Sequence, residues 1–278
     1  MNKYLPVLIV AVIIVAAGVA FGYYVGYDLG WEKAVPAVQK AQNTNSQMLT
    51  KDETPDVSAK DVVYFVNTTG YFAQPKAAGS YPGVVMIHEW WGLNDNIKDM
   101  ARELASEGYN VLAVDLFGKV ATTADEARAQ TSSLDKEKAI RNLRTAISYL
   151  REAGSSRIAS LGWCFGGGQS MQLALSGEQL DATVIYYGQL VTDRQKLAAI
   201  DWPVLGIFGA TDASIPVATV NEFDASLDTL GIENSVHIYP GVGHAFANPS
   251  GANYAATETA DAWTKTLAFL NQALRESE

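Results

Sequence analysis

Cysteine occurs once in this chain of 278 residues, at Cys164. A single thiol excludes an intramolecular disulfide and any metal site built on several thiolates. Charge is scarce as well, at 18% of residues, and basic residues are in the minority, 20 against 30 acidic ones. The resulting formal charge of -10 repels phosphate backbones and argues against a nucleic-acid partner. The glycines Gly162, Gly166 and Gly168 lack G-x-G-x-x-G spacing, and no P-loop Lys-Ser/Thr accompanies them, which argues against a nucleotide cofactor. No internal repeat is visible. What the chain has in quantity is apolar material, 48% of residues, enough for a sizeable core.

The N-terminal segment stands apart. Met1-Asn2-Lys3 leads into an apolar run from Leu5 to about Tyr27 that carries no charge before Asp28. Some 20 apolar residues suffice to cross a bilayer as a helix. Residues 1–27 therefore read as a transmembrane anchor, with Tyr23, Tyr24 and Tyr27 suited to the membrane interface. The competing reading is a signal segment cut after Ala20, which would make the protein secreted or periplasmic. In either case the remaining chain is expected at the membrane or beyond it, with the anchored form facing the extracytoplasmic side. Residues 28–58, with Gln-Asn-Thr-Asn-Ser at 42–46, are too polar to bury much and read as a spacer. Residues 59–278 then form one domain.

Within that domain two periodicities alternate. Short apolar runs at 84–87, 111–114, 158–161, 182–186, 204–208 and 236–239 predict strands. Between and after them come helical stripes: Ile97, Met100, Ala101, Leu104 and Ala105; Ile140, Leu143, Ile147 and Leu150; a stretch from Gln169 to Leu175; Val220, Phe223, Leu227 and Leu230; and Ala260, Trp263, Leu267, Leu270 and Leu274. Strands without polar alternation, each followed by a helix, predict an α/β fold whose mostly parallel, doubly wound sheet is covered on both faces.

The chemistry concentrates after these strands. Gly162-Trp163-Cys164-Phe165-Gly166 lies between a strand and a helix, with glycine two residues before and two after the thiol. A nucleophile elbow needs small residues there, because its strained turn brings backbone close. The helix that follows is expected to aim its first amides at the sulfur and lower the thiol pKa. Of three histidines, His244 follows the last strand in a glycine-rich loop. His237 falls within a strand, where a packed core histidine is expected, and His88 either is structural or lines the site. Asp212 follows the strand at 204–208. An aspartate in such a loop alone reads as a turn residue. Here it completes the order nucleophile, acid, histidine, each after a separate strand, that α/β-hydrolases use.

Through these and neighbouring motifs, the chain from about Val57 to Gln272 resembles the dienelactone hydrolase family. The resemblance rests on His88-Glu89-Trp90-Trp91-Gly92-Leu93-Asn94, Val114-Asp115-Leu116-Phe117, Gly162-Trp163-Cys164-Phe165-Gly166-Gly167, the Asp212 loop and Gly243-His244-Ala245-Phe246. It implies an α/β-hydrolase fold and hydrolysis of a small ester or lactone through an acyl-enzyme, without metal or organic cofactor. It makes Cys164 the nucleophile, His244 the base and Asp212 its orienting group. Glu89 matches the glutamate that sits against the cysteine and helps control its ionisation, and the amides of Trp90 and Phe165 match the oxyanion hole.

One position departs from the family pattern. Members that hydrolyse dienelactone bind its carboxylate with two arginines, one of them four residues after the histidine, where this chain has Asn248. Arg128 is a loosely aligned counterpart of the other. An asparagine lacks the charged, bidentate grip that a carboxylate favours, so neutral substrates are expected to suit the site equally or better. Trp90, Trp91, Phe117, Trp163, Tyr187 and Phe246 flank the motifs and are expected either to pack the core or to line an aromatic pocket. Two rival functions stay open: a membrane-tethered scaffold that lost catalysis, and a thioesterase or peptidase on the same fold. The oligomeric state is unspecified.

Overall fold

The computed structural model describes residues 56–275. The expected anchor at 1–27 and nearly all of the 28–58 spacer lie outside them. Among the described residues no helix is long and apolar enough to cross a membrane.

The first two strands are an antiparallel pair, β1 (Val57–Phe65) and β2 (Thr68–Pro75). There follow β3 (Gly83–Ile87), α1 (Asp95–Ser106), β4 (Asn110–Val114), α2 (Ala124–Ser132) and α3 (Lys136–Glu152). The second half runs β5 (Ile158–Trp163), α4 (Phe165–Ala174), β6 (Ala182–Tyr186), the short α5 (Arg194–Leu197), β7 (Val204–Gly209), α6 (Val217–Leu230), β8 (Asn234–Tyr239) and α7 (Ala256–Arg275). The sheet order is β1-β2-β4-β3-β5-β6-β7-β8. From β4 to β8 every pairing is parallel, while β2 joins β4 antiparallel. The mostly parallel α/β sheet expected from the sequence is present, and all six apolar runs are strands.

Each central strand is buried on both faces, which explains its unbroken apolar composition. In β3, Val85 and Ile87 join Leu143, Ile147 and Leu150 of α3 and Phe223 and Leu227 of α6 on one side. Val84 and Met86 join Ile97, Ala101 and Leu104 of α1 and Leu270 and Leu274 of α7 on the other. Each fully buried aliphatic side chain contributes about 1.5–3 kcal/mol relative to exposure. Side-chain caps start the helices: Asn94, Thr123 and Asp135 accept amides of Ile97, Glu126 and Lys138.

Three details differ from the sequence expectation. β1 begins at Val57, inside the expected spacer. It is an edge strand with Lys60 and Asp61 exposed, so it carries little apolar signal. Strand β2, with the interrupted pattern TTGYFAQP, was equally unmarked. The buried stripe of α7 is Ala262, Thr266, Leu270 and Leu274, with Ala260 exposed. A threonine belongs to that stripe because its hydroxyl meets the buried Tyr186 hydroxyl at 2.6 Å.

Strand order reverses at β3. The chain leaves β3 for β4 on one side and later returns to β5 on the other. Such a switch point opens a crevice at the strands' C-terminal ends.

Candidate active site

Register brings the site residues to that crevice. Ile87 pairs with Gly162, and Trp163 pairs with Tyr186. Continuing these rows by one or two residues sets Glu89, Cys164 and Tyr187 abreast past the ends of β3, β5 and β6. Gly209 pairs with Tyr239, so the loops bearing Asp212 and His244 leave β7 and β8 side by side.

Cys164 occupies the elbow with φ 54° and ψ -115°, a strained region for a residue with a side chain. Close approach by backbone makes the turn possible. A Cβ on Gly162 would lie 2.2 Å from the Gly166 carbonyl oxygen, and one on Gly166 would lie 2.2 Å from that of Ile87. Tyr187 and Ala245, at φ 35° and 60°, place two more left-handed residues around the crevice.

The three residues singled out from sequence meet. His244 Nε2 lies 3.1 Å from Cys164 Sγ, and its Nδ1 lies 2.8 Å from Asp212 Oδ2. The other carboxylate oxygen, Oδ1, accepts the backbone N–H groups of Ser214 at 2.7 Å and Ile215 at 3.1 Å. Asp212 is thereby fixed in orientation and buried. The loop carrying His244 is tied back by Asn253, whose Nδ2 donates to the His244 carbonyl at 2.9 Å.

The backbone N–H groups of Phe165 and Trp90 favour the charged form of the Cys164 sulfur. They do not lower the thiol pKa overall, contrary to the expectation from the helix N-terminus. Burial pushes it up to about 12, and the Glu89 and Asp212 carboxylates add to that against the two amides. The resting sulfur is a thiol, with the His244 imidazole beside it.

Glu89 is 5% exposed, and burial raises its carboxyl to about 7, against the favourable influence of the Asn248 amide. Asn248 Nδ2 donates to Glu89 Oε2. Glu89 Oε1 and the Tyr187 hydroxyl are buried without a hydrogen-bond partner. The Tyr187 ring packs edge-on to His244 and Phe246, 5.3 and 5.7 Å away.

The remaining candidates divide. Trp90 and Trp91 are half-buried and pack edge to face. Phe117 lies against Phe165 and His88. Phe246 is wholly buried in the core beneath Tyr187. Trp163 is buried and packs on Tyr186 in the core that α1 and α7 cover. Arg128 is exposed and pairs with Asp125, away from this cluster.

His88 is fully buried with lowered pKa, chiefly from burial. Its Nε2 accepts the Leu116 N–H at 3.2 Å, which leaves Nδ1 to donate to the Glu89 carbonyl at 2.6 Å. It is a neutral brace for the turn that carries Glu89 and Trp90. His237 is half-buried rather than packed in the core, and bonds Ser235. One supporting residue went unseen in the sequence: Gln130 of α2, whose Nε2 holds the Trp90 carbonyl at 2.6 Å. Only the spatial approach of α2 reveals it.

The dienelactone hydrolase family profile matches residues 68–274. A provisionally named carboxymethylenebutenolidase from Saccharolobus solfataricus is 30% identical over 68% of this chain and 88% of its own length. A relative from Aquifex pyrophilus, protein usf, is 32% identical over 75% of this chain and 95% of its own. Among solved structures, a provisionally named dienelactone hydrolase from Klebsiella pneumoniae superposes with a TM-score of 0.73 at 28% identity, covering 78% of this chain and 99% of that one. The dienelactone hydrolase-like promiscuous phosphotriesterase P91, from metagenomic libraries, gives 0.70 at 26% identity over 78% and 98%. The shared α/β-hydrolase fold and a match across nearly all the described residues lead to one conclusion: this chain belongs to the dienelactone hydrolase family and is a hydrolase.

Proposed function

We propose that the chain cleaves a small neutral ester or lactone through a thioester acyl-enzyme on Cys164. The observation that carries this reading is the unbroken line from Asp212 through His244 to Cys164, at 2.8 and 3.1 Å. His244 takes the thiol proton at Nε2 as sulfur forms a bond to the substrate carbonyl carbon. The carbonyl oxygen gains charge and is held by the amides of Trp90 and Phe165, both of which favour negative charge at the sulfur. Collapse expels the alkoxide, which leaves with the proton from His244. Water then attacks the thioester, gives a proton to His244, and thiol and acid are restored. Asp212, buried and held by two amides, keeps Nδ1 protonated and offsets the imidazolium charge.

The substrate class follows from what surrounds the sulfur. Asn248 is uncharged, its Oδ1 accepts the Ser250 N–H and its Nδ2 donates to Glu89, so it cannot offer a substrate carboxylate a charged, bidentate grip. Glu89 beside it repels one. An arginine–carboxylate pair contributes on the order of 1.5–3 kcal/mol, and its lack corresponds to roughly ten- to a hundredfold in efficiency on an anionic lactone. The test compares kcat/KM on neutral p-nitrophenyl esters, neutral lactones, dienelactone and a neutral phosphotriester. A phosphotriester is included because the similar P91 is a promiscuous phosphotriesterase. Neutral esters or lactones are expected to lead, with activity lost in Cys164→Ala. Full activity after stoichiometric alkylation of Cys164 would reject the thioester route, and a preference for dienelactone would reject the neutral substrate class.

A further inference from the structure

The turn after β4 is held by two buried side chains from distant elements. Tyr64 of β1 accepts the Asp115 N–H at its hydroxyl, 3.2 Å away, and Asn142 of α3 donates from Nδ2 to the Asp115 carbonyl at 3.0 Å. The Tyr64 hydroxyl donates to Asn142 Oδ1, which closes a ring of three residues and fixes the orientation of the amide. Tyr64 is 8% exposed and Asn142 4%, so little water competes for these bonds. Asp115 passes the hold onward, since its Oδ1 accepts the N–H groups of Phe117 at 2.9 Å and Gly118 at 2.8 Å. Edge strand, helix and turn are thereby locked together.

The same turn reaches both amides assigned to the oxyanion. Leu116 N–H binds His88 Nε2 at 3.2 Å, and His88 Nδ1 donates to the Glu89 carbonyl at 2.6 Å. That carbonyl and the Trp90 N–H belong to one planar peptide unit, so holding the first aims the second. On the other side the Phe117 ring lies 5.0 Å from His88 and 4.9 Å from Phe165, whose N–H is the second donor. The His88 and Phe165 rings also stack at 5.9 Å.

We infer that Tyr64 is a positioning residue for hydrolysis: with Asn142 it locks the Asp115 turn, and through His88 and Phe117 that turn holds the amides of Trp90 and Phe165 where a developing oxyanion needs them. The inference rests on the thioester reading of Cys164 and on those two amides as the oxyanion donors. Such donors act only when preorganised at hydrogen-bond distance from the charge that forms, so a small drift of either peptide weakens them. Tyr64 touches no reacting atom and acts through the turn. The first strand of the domain is by this account part of the catalytic support rather than a passive edge.

The test sets two rates of the full-length protein side by side at one pH: turnover of p-nitrophenyl acetate, and alkylation of Cys164 by iodoacetamide, which no second cysteine can confuse. Alkylation joins sulfur to carbon and expels iodide. No oxyanion develops, so the reaction draws on the thiol and His244 but not on the two amides. Tyr64→Phe keeps the ring in its core cluster and removes only the hydroxyl. Its kcat is expected to fall roughly tenfold, while KM and the alkylation rate change by less than about twofold. Asn142→Ala should show the same split, and the double variant should be no slower than the worse single one, because both act through one turn. Circular dichroism and thermal melts establish which variants fold, and Asn142→Ala carries the test where Tyr64→Phe does not fold. Wild-type kcat in a folded variant, or kcat and alkylation falling in equal proportion, would overturn the inference. Hydrolysis by wild type that survives complete alkylation rejects instead the thioester route, so the two failures are distinct.

Discussion

At the residue scale the site is governed by burial rather than by net charge. Cys164 and Glu89 both prefer their neutral forms because both are taken out of water. For Glu89 this has a consequence for stability. A carboxyl whose folded pKa lies above its ordinary 4.5 binds its proton more tightly in the native state. Its contribution is full at low pH and is lost as pH rises through about 7. Glu89→Gln should therefore be more stable than wild type at pH 8, by on the order of 1–3 kcal/mol, with the advantage vanishing near pH 4. Urea denaturation of both proteins at the two pH values measures it, and a constant difference would show that Glu89 does not titrate as described. The histidine most deeply buried, His88, spends both ring nitrogens on backbone, donating to the Glu89 carbonyl and accepting the Leu116 N–H. Only the third, His244, meets both a carboxylate and the sulfur.

At the scale of elements, the strand–elbow–helix unit of β5, Cys164 and α4 does most to position the chemistry. Its strain is tolerated because glycines let backbone from β3 and α4 approach where a side chain would collide. Gly162→Ala should cost about 3 kcal/mol or more, since its Cβ would meet rigid backbone rather than a flexible side chain. Its Tm and its alkylation rate at Cys164 are expected to change together. A variant with wild-type Tm would show that the elbow can relax. The unit is legible in sequence because glycine spacing is local. β1 and β2 are not, because an edge strand with Lys60 and Asp61 exposed on opposite faces carries no clean apolar alternation, and its pairing is non-local. The α7 face is shifted for a related reason: Thr266 reads as polar until Tyr186 supplies its partner.

At the scale of the molecule, reversal of strand order at β3 gathers residues from five loops at one end of the sheet. The apolar segment Leu5–Tyr27 lies outside the described residues, and the expectation it raises is separable from the hydrolase domain. Full-length protein should sediment with membranes and require detergent. A chain starting at Pro55, just before β1, should remain in the supernatant with the same kcat/KM. Full-length protein that stays in the supernatant and begins at Phe21 would replace the anchor with a cleaved segment.

Local pattern sufficed for the class of fold, six of the eight strands, the elbow around Cys164 and the chain order of Asp212 and His244. Each of these is written in neighbours: apolar runs, helical spacing and flanking glycines act within one element, and the right-handed βαβ rule then leaves few ways to assemble them. The grip of Asn248 on Glu89 spans 159 residues, and the support of Trp90 by Gln130 spans 40. Neither residue type announces such a role, because an amide is equally at home on a surface. The thiol pKa belongs to the same group. A helix N-terminus alone would lower it, and only the assembled site, by burying the sulfur beside a carboxyl, raises it to about 12. Burial and long-range pairing are properties of the packed chain, so they were decided by tertiary structure.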